Sequence, residues 1–257
     1  MVGTDTKQAL KVKSILISQP KPETDKNPYF DLAKKFDVKI DFIPFIQVEG
    51  IPAKDFRKAK INVLDFNAII FTSRNSIDHF FRICEELRVK ISQETKYFCI
   101  SEAIALYLQK YTQYRKRKVF YGAGSFQDLS KLLVKHKADN KFLLPCSDIH
   151  KKDIPAFLKK NKFDFAEAII YRTVASDLSH LEHIKYDMIV FFSPSGVHSL
   201  FHNFPKFKQE NTRIAAFGPT TSKAVVDAKL RLDVKAPMPQ APSMTMAIDR
   251  YLAKVNK

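Results

Sequence analysis

The sequence predicts an α/β fold made of two similar domains, each a parallel sheet flanked by helices, and three observations carry that expectation. Short apolar runs alternate, from residue 14 to the end, with stretches whose apolar residues recur at helical spacing, the pattern of buried parallel strands joined by helices. One such handover from strand to helix occurs twice, at 68–81 and at 188–201. The two copies agree identically at Ile69 and Ile189, Phe71 and Phe191, Ser73 and Ser193, and Phe81 and Phe201. Two extended stretches of similar character, 39–49 and 166–174, bracket the middle of the chain.

Taken in order, residues 1–11 lack apolar periodicity and read as a loose tail. Ser14-Ile-Leu-Ile-Ser is the first buried strand, and Asn27 with Pro28 supplies a cap and a first-turn proline for a helix carrying Tyr29, Leu32, Ala33 and Phe36. Pro44 has no amide to give to a ladder, so 39–49 is assigned as an edge or linker strand. A short polar helix is expected around 53–60. The first motif copy then forms a strand over 68–72 and a helix from about Ser76 to Leu87. Strands follow at 97–100 and 118–121, each leading into a helix capped by serine, Ser101 and Ser125. A strand at 141–145 and a helix opened by Asp153 and Pro155 precede the second extended stretch. After the second motif copy come a strand at 212–217, a turn at 218–221, a helix at 222–228, and a last helix capped by Ser243, with Met244, Met246, Ala247 and Leu252 available to pack.

Composition excludes several classes. No apolar stretch reaches the roughly 20 residues of a membrane span, and the N-terminus lacks a signal-peptide pattern, so a cytoplasmic protein with no membrane partner is expected. Cys84, Cys99 and Cys146 are odd in number and widely spaced, and are assigned as reduced and mostly buried. The net charge of +16 favours anionic partners without naming them.

The residues able to do chemistry gather where strands end. Thr72, Ser73, Arg74, Asn75 and Ser76 follow one repeated strand; Ser193, Ser195 and Gly196 follow the other; Gly218, Thr220, Thr221 and Ser222 form a third cluster. Ligands of parallel sheets settle at the carboxyl ends of strands, where helix N-termini offer amides and a partial positive charge, so these are candidate carboxylate or phosphate sites; plain helix capping is the other reading. The dinucleotide and phosphate-loop glycine fingerprints and Gly-x-Ser-x-Gly are absent. His198 and His202 are spaced for a metal but lack a third ligand in sequence, so no metal is assigned. The basic run 114–118 reads as a solvated turn, and Tyr171 stands out as a tyrosine in mid-strand.

Together, Phe-Phe-Ser-Pro-Ser-Gly-Val at 191–197, Ala-Ala-Phe-Gly-Pro-Thr-Thr-Ser-Lys-Ala at 215–224, Leu-Leu-Pro-Cys-Ser at 143–147, Ile-Tyr-Arg-Thr-Val at 170–174 and Phe-Thr-Ser at 71–73 resemble the uroporphyrinogen-III synthase family in order and spacing. The resemblance implies a discontinuous first domain, 1–43 plus 174–257, a second domain at 48–170, and linker strands at 44–47 and 171–173 forming a two-stranded ladder. It implies a cofactor-independent lyase of heme biosynthesis that closes the linear tetrapyrrole hydroxymethylbilane, in a cleft between the domains, with inversion of ring D and loss of water; nothing in the sequence demands an oligomer, and a monomer is expected. Tyr171 is the implied aid to departure of the hydroxyl. Thr72, Ser73, Ser101, Ser193, Ser195, Gly196, Thr220 and Thr221 are the implied grip on side-arm carboxylates. The chain departs from the family pattern at Ile100 and Ala103, which leave Ser101 as the hydroxyl of that turn, and at Met238 in the Pro-rich loop. Two other classes stay open: a non-catalytic two-domain module binding a small anionic ligand or nucleotide, suggested by the hydroxyl missing at Ala103, and a nucleic-acid binder suggested by the +16 charge, for which no recognised motif is present.

Overall fold

The computed structural model describes residues 11–24, 26–181 and 185–256; most of the expected tail lies outside them. The elements in chain order are β1 (Ser14–Ile17), α1 (Pro28–Phe36), β2 (Lys39–Phe42), β3 (Ile46–Gly50), α2 (Ala53–Phe56), β4 (Ala68–Phe71), α3 (Arg74–Glu86), β5 (Lys96–Cys99), α4 (Glu102–Tyr107), β6 (Val119–Tyr121), α5 (Phe126–Lys135), β7 (Phe142–Ser147), α6 (Asp153–Lys160), β8 (Phe165–Ala175), β9 (Met188–Phe191), α7 (Pro194–Asn203), β10 (Arg213–Phe217), α8 (Pro219–Asp227), β11 (Val234–Ala236) and α9 (Met244–Val255). They form two sheets, ordered β11-β10-β9-β1-β2 and β3-β8-β7-β4-β5-β6. The first is parallel throughout, and the second is parallel from β8 to β6. The chain divides into two compact units, one of Met1–Gln47 with Val174–Lys257 and one of Val48–Thr173.

Each sheet is buried on both faces because alternate residues of its strands feed different cores. In the first unit Ile15, Ile17, Met188 and Val190 pack with Leu32, Ile248 and Leu252 of α1 and α9, whereas Leu16, Ile189 and Phe191 pack with Val197, Leu200 and Val225 of α7 and α8. In the second unit Ile69, Phe71 and Tyr97 face α3, and Ile70, Phe98, Phe142 and Leu144 face Leu129 and Leu158 of α5 and α6. This is why the central strands read as unbroken apolar runs. Met246, expected to pack, is 47% exposed; its neighbours Met244 and Ala247 take the buried side of α9.

The 39–49 stretch is two strands and not one. Pro44 falls between β2, which pairs with β1, and β3, which joins the other sheet beside β8. Ile51 donates its amide to Ile170 O, and Ser176 donates to Phe45 O, so β3 and β8 run in opposite senses. Two helices also start earlier than expected. Helix α3 begins at Arg74 because Ser73 and Ser76 cap each other: the Ser76 amide donates to Ser73 Oγ (3.1 Å) and the Ser73 amide to Ser76 Oγ (3.2 Å). Helix α8 begins at Pro219, whose missing amide costs nothing in a first turn. It follows Gly218, whose φ of +89° suits a residue without a Cβ.

Behind the second motif copy, Asn203 fixes the returning chain. Its Oδ1 accepts from the Leu178 amide (3.0 Å), and its Nδ2 donates to Ser176 O (3.0 Å) and Ser199 O (2.9 Å). Replacing Asn203 with Ala removes the partner of the Leu178 amide and of these carbonyls. We expect a loss of about 2 kcal/mol in denaturant unfolding, the cost of leaving buried partners unmade; a change below about 0.5 kcal/mol would show that water substitutes for the amide.

Candidate active site

The two motif copies occupy the same place in their sheets. β9 lies between β1 and β10, and β4 between β7 and β5. In each sheet the strand order reverses on one side of the repeated strand, between β1 and β9 and between β4 and β7, which is where open α/β sheets take ligands. Both handovers therefore deliver a serine cap to a topological switch point.

In the first unit, Ser193 heads α7 and accepts the Gly196 amide at 3.2 Å. Gly196 stands where Ser76 stands in the other copy, so the return bond of the capping box is missing and the Ser193 amide has no side-chain acceptor from that position. A Cβ on Gly196 would meet Phe191, Ser18 and Ser193 at 3.5–3.7 Å, ordinary contact, so the position has room for one. Ser195 and Thr220 are the second residues of α7 and α8, which follow adjacent strands; Pro precedes each. Amides there have no carbonyl one turn back. No side chain caps α8 at Gly218. Thr220 is exposed, but Thr221 is only 1% exposed and faces the core, so its hydroxyl is a packing group while its amide belongs to the helix start.

In the second unit, Thr72 and Ser73 are half-buried at the end of β4. Ser101 precedes α4, but its hydroxyl makes no capping bond. Tyr171, in β8 and 8% exposed, places its hydroxyl 3.4 Å from Ser73 Oγ. Burial is the main cause pushing its phenol above the usual tyrosine value, partly offset by Ser73, so the group stays protonated and able to donate at neutral pH.

Two neighbours of Tyr171 carry no signal in the sequence. His79, on α3, stacks on its ring with centroids 5.1 Å apart and planes at 20°. Arg82 Nε donates to His79 Nδ1 at 3.2 Å, and because a guanidinium only donates, the ring proton sits on Nε2. Arg82 also donates from Nη2 to Ile51 O (2.9 Å) and Ile170 O (3.2 Å), and from Nη1 to Glu86. A Cβ on Gly50 would lie 2.5 Å from this guanidinium, so a side chain there would have to displace the end of Arg82. His198 and His202 are exposed on α7. Two surface cavities of about 570 and 860 Å³ contain none of the expected site residues.

Known proteins share both the sequence pattern and this architecture. The family model described as Uroporphyrinogen-III synthase HemD matches residues 29–246. The chain belongs to the uroporphyrinogen-III synthase family. That family consists of cyclising lyases of heme biosynthesis acting on a tetrapyrrole. Among solved structures, uroporphyrinogen-III synthetase from Helicobacter pylori 26695 superposes with a TM-score of 0.58 at 18% identity, covering 94% of this chain and 99% of that one, and shares the fold. A mutant uroporphyrinogen III synthase from the extremely thermophilic bacterium Thermus thermophilus gives 0.49 at 15% identity, covering 94% and 99%. No curated sequence matches the chain significantly. Among the described residues no helix is long and apolar enough to cross a membrane.

The protonation of His79 is coupled to stability. Burial first, and Arg82 second, hold its pKa below the ordinary 6.5, against a smaller opposite pull from Asp78. The unfolded chain therefore takes up the proton first as pH falls. The stability His79 contributes is present above about pH 6.5 and is lost as pH drops through the folded value. Urea unfolding between about pH 7.5 and 5.5 should show this decline, and His79→Gln should make it shallower; an unchanged slope in the variant would assign the decline to other groups.

Proposed function

We propose that the chain closes hydroxymethylbilane to uroporphyrinogen III with inversion of ring D, and that Tyr171 and the strand-end clusters carry the reaction. Family membership over residues 29–246 is the observation that supports the reaction. It also disfavours the alternative of a non-catalytic anion-binding module.

The pyrrole nitrogen next to the carbinol pushes electrons toward the departing oxygen, so the C–O bond breaks without a strong acid. Tyr171 donates its phenolic proton to that oxygen, which leaves as water. The terminal ring is then attacked at its substituted carbon, and a spiro intermediate opens and recloses with ring D inverted. The proton lost as the last pyrrole regains aromaticity balances the one given. Closure without inversion is open to the free substrate, so orientation is the enzyme's main task.

Each unit offers its own candidate groups for side-arm carboxylates: Ser193, Ser195, Gly196, Thr220 and the Thr221 amide in the first, and Thr72, Ser73 and Ser101 in the second. Helix starts whose amides lack intrahelical partners suit anions, and the +16 charge draws a polycarboxylate toward the protein. His79 is a positioning residue that limits rotation of the Tyr171 ring. In the same reading the chain works as a cytoplasmic monomer, with domains at 1–43 plus 174–257 and at 48–170, linked through 44–47 and 171–173.

Freshly generated hydroxymethylbilane should yield mainly the inverted isomer with this protein; accumulation of the uninverted isomer alone would refute the assignment. Tyr171→Phe should lower kcat by about a hundredfold, within the range of a lost proton donor, with unfolding and KM little changed. An undiminished rate would remove Tyr171 from the mechanism. His79→Ala should lower kcat less than Tyr171→Phe does.

A further inference from the structure

β7 ends in Cys146 and Ser147, and the chain turns through His150 before α6, while the neighbouring β8 brings up Glu167. One ligand atom from each of Cys146, His150 and Glu167 lies within 4.8 Å of the others; among the described residues this is the one such trio. His150 and Glu167 side chains are 13% and 33% exposed, and Cys146 is 4% exposed.

His150 is held between two acceptors and the Lys152 ammonium. Its Nδ1 is 2.6 Å from Ser147 O and its Nε2 is 2.8 Å from Glu167 Oε2. Both partners only accept. Lys152 Nζ sits 3.1 Å from Nε2 and 3.2 Å from Oε2. If the ring is neutral with its proton on Nδ1, the Nε2 lone pair faces a carboxylate and Lys152 alone relieves the repulsion. If both nitrogens carry protons, both acceptors are satisfied and Glu167 pairs with two cations, whose like charges lie 3.1 Å apart. A dication taking the place of Lys152 would satisfy Nε2 and Oε2 together. The Nδ1–H bond to a backbone carbonyl is meanwhile the outer contact that metal-bound histidines use.

We propose that Cys146 Sγ, His150 Nε2 and Glu167 Oε2 form a three-ligand site for a zinc-class dication, in which Lys152 is the resident cation that the metal displaces. A thiolate with an imidazole selects zinc or cobalt over magnesium or calcium, and three protein ligands leave a fourth position open. Metal–ligand bonds of about 2.0–2.3 Å in tetrahedral geometry separate ligand atoms by roughly 3.3–3.7 Å, so the separations to the sulfur, at most 4.8 Å, draw in by up to about 1 Å while His150 Nε2 and Glu167 Oε2, now 2.8 Å apart, open by about 0.5 Å. Lys152 is 69% exposed and can swing into solvent. Burial, the first cause, pushes the Cys146 thiol up to about 12. Binding therefore breaks the S–H bond, forms a metal–sulfur bond and delivers the proton to the buffer.

The test titrates the chelator-treated full-length protein with Co²⁺ and then Zn²⁺, by calorimetry in two buffers and by near-ultraviolet and visible absorption. We expect about one equivalent bound, a thiolate-to-cobalt charge-transfer band, tetrahedral d–d bands and about one proton released per metal. Cys146→Ser should abolish the band, and His150→Gln or Glu167→Gln should weaken binding by more than about tenfold. Cys84→Ser and Cys99→Ser should change nothing. Lys152→Gln, a surface change that leaves the fold intact, should tighten binding by removing the competitor. Absence of the charge-transfer band in the wild type, its survival in Cys146→Ser, or weaker binding in Lys152→Gln would overturn the proposal.

Discussion

At β4, β5, β9 and β10 a parallel strand passes into its helix within one or two residues, and a helix begins with amides that have no partner of its own. That constraint governs most of this molecule. Ser73 and Ser193 answer it by accepting the amide three residues ahead, as Ser125 and Ser243 do for α5 and α9. Gly218 answers it differently, turning the chain with a positive φ and no cap. Under the proposed function, the segments that stabilise helix starts are also the ones a polyanion would meet.

The duplication shows how one solution is reused with variation. β4 and β9 hold equivalent places in their sheets although the chain visits the neighbouring strands in a different order. In the second unit the repeated strand comes first and the strand beside it returns later as β7, with the tyrosine-bearing β8 outside it. The serine pair Ser73–Ser76 closes a full capping box there, while the pair Ser193–Gly196 leaves one bond open. A protein that works by orienting a flexible anion needs many modest contacts more than one reactive group. This accounts for the absence of a conspicuous catalytic motif.

Arg82 connects the tyrosine to the frame. Its guanidinium spans the carbonyls of Ile51 and Ile170, beside the β3–β8 pairing, and holds His79, whose ring covers Tyr171. The sequence around it, Asp-His-Phe-Phe-Arg-Ile, reads as an amphipathic helix face and nothing else. Likewise Cys146 and His150 look like a buried thiol and a loop histidine until β8 sets Glu167 beside them. Such residues are illegible in the chain because their partners are chosen by packing between segments far apart in it.

The sequence by itself determined the alternation of strands and helices, the duplicated handover, the serine caps and the family, because side-chain period and capping chemistry are local properties. Its errors were local too. Pro44 breaks a ladder wherever it stands, but whether it ends one strand or separates two depends on which sheet claims each half. Only the tertiary structure decided that Ala68 faces Phe142 across β4 and β7, and that Ser73 meets the Tyr171 hydroxyl. It also turned Thr221 inward while Thr220 faces solvent. The reason is physical: register between strands is set by how two whole faces bury against their helices, and no window of sequence contains both partners of such a contact.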